Sequence, residues 1–277
     1  MPLKLMYITN RPEIAQIAEY AGVDRIFVDM EYIGKDKRQG GLDTVQSHHT
    51  VEDVKTVKNA IVKAELLVRC NPIHEASADY CSSEEEIDQT IKAGADIIML
   101  PYFKTADEVK AFLKYVGGRA KNMLLFETPE AVENIDEILS LEGIDEVFIG
   151  LNDLSLGYGM KFMFELLSNG TVEKICQKFK EYGLPYGFGG IASIGKGMLP
   201  SEKIIKEHYR LGSGCVILSR SFCNVNNISH YGIISSTFVN GVNEIRKFEK
   251  ECSRYASYFI DNQAEVADIV RQVSGNG

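Results

Sequence analysis

Residues 12–29 read PEIAQIAEYAGVDRIFVD, and their order decides the fold. Asn10 offers a cap, Pro12 an early helical proline, and an apolar stripe runs to Tyr20. Gly22 suits the left-handed stop of that helix, and Arg25–Asp29 is a short apolar run of strand type. The same order recurs at 85–100, EEIDQTIKAGADIIML, with Gly94 as the stop, and at 173–188, EKICQKFKEYGLPYGF, with Gly183. Helices that end at glycine and pass directly into strands are the repeat of βα units around a parallel sheet.

Working outward, eight runs have strand character: Leu3–Ile8, Arg25–Asp29, Glu65–Cys70, Asp96–Leu100, Met123–Glu127, Glu146–Ile149, Pro185–Phe188 and Cys215–Leu218. Helical patterns lie between them at Pro12–Tyr20, Val51–Ala64, Glu84–Ala93, Ala106–Tyr115, Pro129–Leu139, Val172–Tyr182 and Ser201–Tyr209. Thr50 and Thr105 each precede first-turn carboxylates, as capping residues do. Eight units predict an α/β fold closed as a (β/α)8 TIM barrel, with an open doubly wound sheet as the alternative. Residues 1–230 form the barrel in this reading. Residues 231–277 form a C-terminal helical extension that belongs to the same domain or to an oligomer contact.

Composition agrees. A chain of 277 residues with 45% apolar and 25% charged residues is ordinary for a globular protein and long enough to fold without staples. Its net charge of −9 argues against nucleic acid and against an anionic membrane surface. No targeting segment and no membrane-spanning run is visible. The six cysteines form no C-x-x-C pair, which predicts reduced thiols in a cytoplasmic protein and argues against zinc. Two long loops, 33–50 and 71–83, follow strand ends and overhang the mouth of the expected barrel.

Side chains at the carboxyl ends of barrel strands share one pocket. There stand Asp29 and Glu31, Arg69, Glu127, and Asp153 after the sixth strand. Glu127 and Asp153 make a two-carboxylate platform for a hard cation such as Mg²⁺ or Mn²⁺; the competing reading is that they cap helices or pair with the arginine. Arg69 closes an apolar strand and needs a partner, either an internal carboxylate (Asp29 or Glu31) or an anionic substrate. His48 and His49 are neighbours on the first long loop, so at most one faces the pocket. A solvated or capping role competes for each. The glycines of 187–190 and 195–197 would suit a phosphate turn but fit neither phosphate-loop fingerprint.

These residues resemble the HpcH/HpaI aldolase and citrate lyase β-like family of metal-dependent pyruvate aldolases. The likeness runs through AGVD at 21–24, FVDME at 27–31, VRCN at 68–71 and GADIIMLP at 94–101. It is densest in FETPEAVENIDEILSLEGIDEVFIGLNDLSLGYG, Phe126–Gly159. The resemblance implies a lyase that makes or breaks a carbon–carbon bond beside a metal-chelated pyruvate-type enolate, with a 2-keto-hydroxy acid as substrate and an aldehyde as partner. It implies Glu127 and Asp153 as metal ligands and Arg69 as the residue holding the enolate oxygen. The amides of Gly150, Leu151 and Asn152 would receive the carboxylate. It further implies a homo-oligomer. The chain departs from the pattern where the base belongs: Tyr32 stands in place of a histidine, and Lys92 in place of the acid that assists it. His49, from the loop, is then the candidate substitute base, with Tyr32 as the other. Two further readings are an acyl-CoA lyase of the citryl or malyl type and a keto-acid-binding barrel without turnover.

Overall fold

In a computed structural model, which describes residues 1–35, 49–228 and 230–275, eight parallel strands pair in chain order and close on themselves. They are β1 (Lys4–Ile8), β2 (Arg25–Asp29), β3 (Glu65–Arg69), β4 (Ile97–Leu100), β5 (Lys121–Phe126), β6 (Glu146–Ile149), β7 (Tyr186–Ile191) and β8 (Cys215–Leu218). Closure runs through the register Lys4↔Cys215 to Tyr7↔Leu218 between β1 and β8. The fold is therefore the (β/α)8 barrel, and the open sheet is excluded.

The strands read as unbroken apolar runs because both faces are buried. Met6, Phe27, Leu67, Met99, Met123 and Phe148 fill the interior, and the outward faces pack on the helices. Gly187 has a packing reason rather than a phosphate-binding one: a Cβ there would drive into Cys215 of the neighbouring strand. Arg25, fully buried, closes the amino-terminal end of the barrel with two 2.7 Å bonds to Glu146 and one of 2.9 Å to Glu65.

The helices are α1 (Pro12–Tyr20), α2 (Val51–Ala60), α3 (Ser83–Lys92), α4 (Ala106–Val116), α5 (Pro129–Glu133), α6 (Ile135–Leu139), α7 (Leu151–Gly157), α8 (Glu165–Ser168), α9 (Thr171–Glu181) and α10 (Ser201–Leu211). Thr50 and Thr105 form complete capping boxes with Asp53 and Glu108. Gly22, Gly94 and Gly183 all take positive φ, as their stop role requires. Asn10 is not a cap: Arg11 occupies that position, and Asn10 instead bonds Asp53 at 3.2 Å. α2 ends at Ala60, short of the expected Ala64, because the Glu19 carboxylate takes the N–H groups of Val62, Lys63 and Ala64. The single helix expected over 129–139 is two, meeting at Asn134.

After β8 come α11 (Tyr231–Cys252) and α12 (Phe259–Gly275). Glu249 accepts the N–H of Leu3 at 2.6 Å, Arg246 bonds the Leu3 carbonyl and Asp24, and Asn262 donates to Glu207 at 2.8 Å. The later part of α11, together with α12, thus packs on the amino-terminal side of the barrel and on α10. The start of α11 reaches the mouth side, where Tyr231 accepts from Arg11 and Phe238 meets Tyr7 edge-on. No described helix is long and apolar enough to cross a membrane.

Candidate active site

At the carboxyl ends of the strands lies a cavity of about 620 Å³. Asp29, His49, Arg69, Glu127, Gly150, Leu151, Asn152 and Asp153 all line it. The strand register brings the first pair together, since Asp29 of β2 stands directly opposite Arg69 of β3. Arg69 Nε and Nη2 donate to the two Asp29 oxygens, each at 2.8 Å, and Nη1 lies 3.2 Å from Glu31 Oε2. Lys35 joins from the other side, 3.0 Å from Asp29 and 3.5 Å from Glu31. Burial alone would raise the Asp29 carboxyl, but the Arg69 and Lys35 cations override it and hold it well below the usual carboxylate range. Burial likewise works against the Arg69 charge, and Asp29 and Glu31 restore it. The internal salt bridge anticipated for Arg69 is present with both acids. The two hydrogen bonds to Asp29 take Nε–H and one Nη2 hydrogen, so the side chain is aimed and still able to donate into the cavity.

Lys35 was not legible in the sequence. Its ammonium is almost fully buried between two carboxylates, and the only signal was its spacing of four from Glu31 on a polar loop. Asn71 and Glu86 were missed too. Asn71 Oδ1 accepts the N–H groups of Tyr32 and Ile33 at 2.9 Å, while Glu86 holds Asn71 from beneath. This clamp fixes the chain that carries Glu31 and Lys35.

The two replacements for the missing base separate in the structure. His49 lines the cavity, with Nδ1 accepting the Asp29 N–H at 3.0 Å. Tyr32 does not line it: the ring is 43% exposed and packs edge-on to Tyr80 at 6.3 Å. Burial, then the Glu86 charge, raises the Tyr32 phenol, which makes its oxygen harder to ionise. Lys92 is 74% exposed and pairs with Asp88 on the helix surface, so it does not serve the mouth. His48 lies outside the described residues.

Glu127 follows β5, and Asp153 sits in the first turn of α7 after β6. Both are buried, at 3% and 8% exposure. Glu127 Oε1 accepts the Tyr102 N–H at 3.0 Å. Its other oxygen rests against the backbone at Gly150, where an added Cβ would fall 2.7 Å from Oε2. The glycine therefore makes the hollow that the carboxylate fills. Hard, buried carboxylate oxygens from adjacent strand ends fit a divalent cation. Among the described residues no group of three or more His, Cys, Asp or Glu could hold a metal ion. A cation bound here would therefore draw its remaining ligands from water and substrate.

A closed barrel of eight parallel strands, with buried carboxylates and an ion-paired arginine at its mouth, defines the chain as a (β/α)8-barrel protein. The model of the HpcH/HpaI aldolase/citrate lyase family matches residues 4–165, more than half of the chain, and the chain belongs to that family. Members of that family generally depend on a divalent metal. A hydroxypyruvate/pyruvate aldolase of Rhizorhabdus wittichii is 38% identical over 90 residues, covering 30% of this chain and 36% of that protein. A 2-keto-3-deoxy-L-rhamnonate aldolase of Escherichia coli is 25% identical over 53% of this chain and 58% of its own length. A solved HpcH/HpaI aldolase from Desulfitobacterium hafniense superposes with a TM-score of 0.60 at 17% identity, covering 89% of this chain and 93% of that one. At that identity the likeness bears on the fold.

Proposed function

We propose that the protein is an aldolase acting on a 2-keto-hydroxy acid, cleaving or forming the bond between the carbon beside the keto group of a pyruvate-type unit and the hydroxyl-bearing carbon that becomes the aldehyde. The observation that carries this reading is the meeting, in one cavity, of the Glu127 and Asp153 carboxylates with an Arg69 guanidinium held in position by Asp29. The names of the relatives, which include a pyruvate aldolase, support the same substrate class.

A divalent cation, Mg²⁺ or Mn²⁺, held by Glu127 and Asp153 would supply positive charge against the oxygens of the keto acid. Arg69 opposes the negative charge that develops on the keto oxygen as the bond between the carbon beside the keto group and the hydroxyl-bearing carbon breaks, its electron pair passing into the enolate. Because Asp29 and Glu31 fix its orientation, the donor needs no rearrangement at the moment of reaction. Leu151 and Asn152, in the first turn of α7, line the same wall and their amides suit the substrate carboxylate; the Gly150 N–H does not join them, because it donates to the Phe126 carbonyl at 3.0 Å. A homo-oligomer in the cytoplasm, with residues 231–277 contributing to the contact, completes the reading.

Incubating the purified protein with Mn²⁺, pyruvate and a short aldehyde tests it. A new 4-hydroxy-2-keto acid detected by NMR is the expected product; none with any of a panel of aldehydes contradicts it. One observation favours a second reading, a barrel that binds keto acids without turnover. Neither Tyr32 nor Lys92, which stand where the resemblance places the proton-transfer pair, reaches the cavity.

A further inference from the structure

We infer that His74 is a positioning residue of this site. Its charged ring donates from both nitrogens, latches the loop after β3 and, through Glu86 and Asn71, holds the chain that carries Glu31 and Lys35. Two backbone acceptors build the latch: Nδ1 lies 2.7 Å from the Pro72 carbonyl oxygen and Nε2 2.9 Å from that of Cys81. The His74 N–H donates to Ser83 Oγ at 2.9 Å, and the Ser83 N–H returns to the His74 carbonyl at 3.2 Å. Both ends of the loop are thereby tied to the start of α3, with the Tyr80 ring packed edge-on against His74 at 5.2 Å.

A carbonyl oxygen only accepts, and a neutral imidazole has one N–H, so only the imidazolium serves both carbonyls. Ser83 Oγ, 3.0 Å from Nδ1, can donate to a neutral ring, but that sets the bare Nδ1 against the Pro72 oxygen at 2.7 Å. The counter-charge is the buried Glu86, whose Oε2 lies 4.0 Å from Nε2. Burial raises the Glu86 carboxyl, opposed by the bonds from Asn71 and by the His74 charge. Around the pair stand Tyr32 after β2, Cys70 after β3, Tyr80 and Cys81 of the same loop and Glu85 of α3, none of which is a cation.

From Glu86 the connection runs inward. Oε1 accepts the Asn71 N–H at 3.1 Å and Nδ2 at 2.8 Å, and Asn71 Oδ1 takes the Tyr32 and Ile33 N–H groups, each at 2.9 Å. Those two amides lie between Glu31 and Lys35, which frame the Asp29–Arg69 pair. His74 itself does not line the cavity, so it acts through Asn71.

Three measurements test the assignment. In ¹⁵N-histidine NMR, with His74→Gln identifying the resonance among the five histidines, both His74 nitrogens should be protonated near neutral pH. A ring protonated on one nitrogen alone overturns the latch. In His74→Gln, hydrogen exchange of the Tyr32 and Ile33 amides should quicken about tenfold while the β5 amides keep their rates. Unchanged exchange at Tyr32 and Ile33, or equal quickening across the barrel, removes the connection to the site. The third measurement rests on the aldolase reading. In His74→Gln, kcat should fall about tenfold, short of the ~10² that misplacement by a distant mutation can cost, with KM for pyruvate within about twofold. Wild-type kcat in that variant removes the positioning role. Absence of turnover in the wild-type protein removes the aldolase reading instead, and the spectrum and exchange rates then decide the latch alone.

Discussion

Arg69 and Asp29 face each other across the β2–β3 pair and are joined by two parallel hydrogen bonds of 2.8 Å, from Nε and Nη2 to the two carboxylate oxygens. A fork–fork pair of this kind fixes a plane as well as a position, and an ammonium cannot reproduce it. Arg69→Lys should therefore cost more than about tenfold in kcat/KM, or ~1.4 kcal/mol of transition-state stabilisation. Steady-state kinetics on the aldol reaction check this, and a smaller loss would leave Arg69 with a structural role alone.

The carboxylate platform gives a binding prediction that needs no turnover. Glu127→Gln and Asp153→Asn each remove a charged oxygen, so Mn²⁺ affinity measured by calorimetry should fall at least about tenfold, with the far-UV circular dichroism unchanged. Gly150→Ala should produce the same loss by pushing Glu127 out of its hollow, since the new methyl would lie 2.7 Å from Oε2. Wild-type affinity in either carboxylate variant would remove the platform.

Tyr32 projects away from the cavity onto Tyr80. Tyr32→Phe should leave kcat within about twofold of wild type, far short of the ~10²–10⁴ that loss of an acid–base group brings. A dead variant would return Tyr32 to the reaction.

His208 supplies a pH prediction about stability. Its ring is fully buried, stacked 3.8 Å from Phe188 and bonded through Nδ1 to Ser213, and burial drives its pKa down to about 3. Between that value and the ordinary ~6.5 the unfolded chain binds a proton that the folded chain does not, so stability is full above ~6.5 and falls as the pH drops. The slope is about 1.4 kcal/mol per pH unit. Urea unfolding at several pH values should show it, and His208→Gln should flatten it. The Asp29 carboxyl is depressed, so its contribution is lost only in stronger acid, below about pH 4.

Much of this was readable in the chain because strands are short and their ends are marked. Glu127 and Arg69 stand one residue beyond or at the close of apolar runs, and a parallel barrel delivers such positions to one mouth. Lys35 was hidden because a lysine on a polar loop reads as solvated until its two carboxylate partners are in place. α7 escaped because LNDLSLG is too short for a helical period to stand out. The contact of His49 Nδ1 with the Asp29 N–H depends on a backbone group left over where β1 ends, which no spacing in the sequence encodes.

The central claim, that this mouth generates a pyruvate enolate, is tested most directly by exchange of the pyruvate methyl hydrogens in D₂O, followed by NMR with Mg²⁺ and, at trace level, Mn²⁺. Wild-type protein should exchange the methyl group with metal and without any aldehyde, and Glu127→Gln should not. Pyruvate that binds, measured by calorimetry under the same conditions, yet keeps its methyl hydrogens would contradict the account.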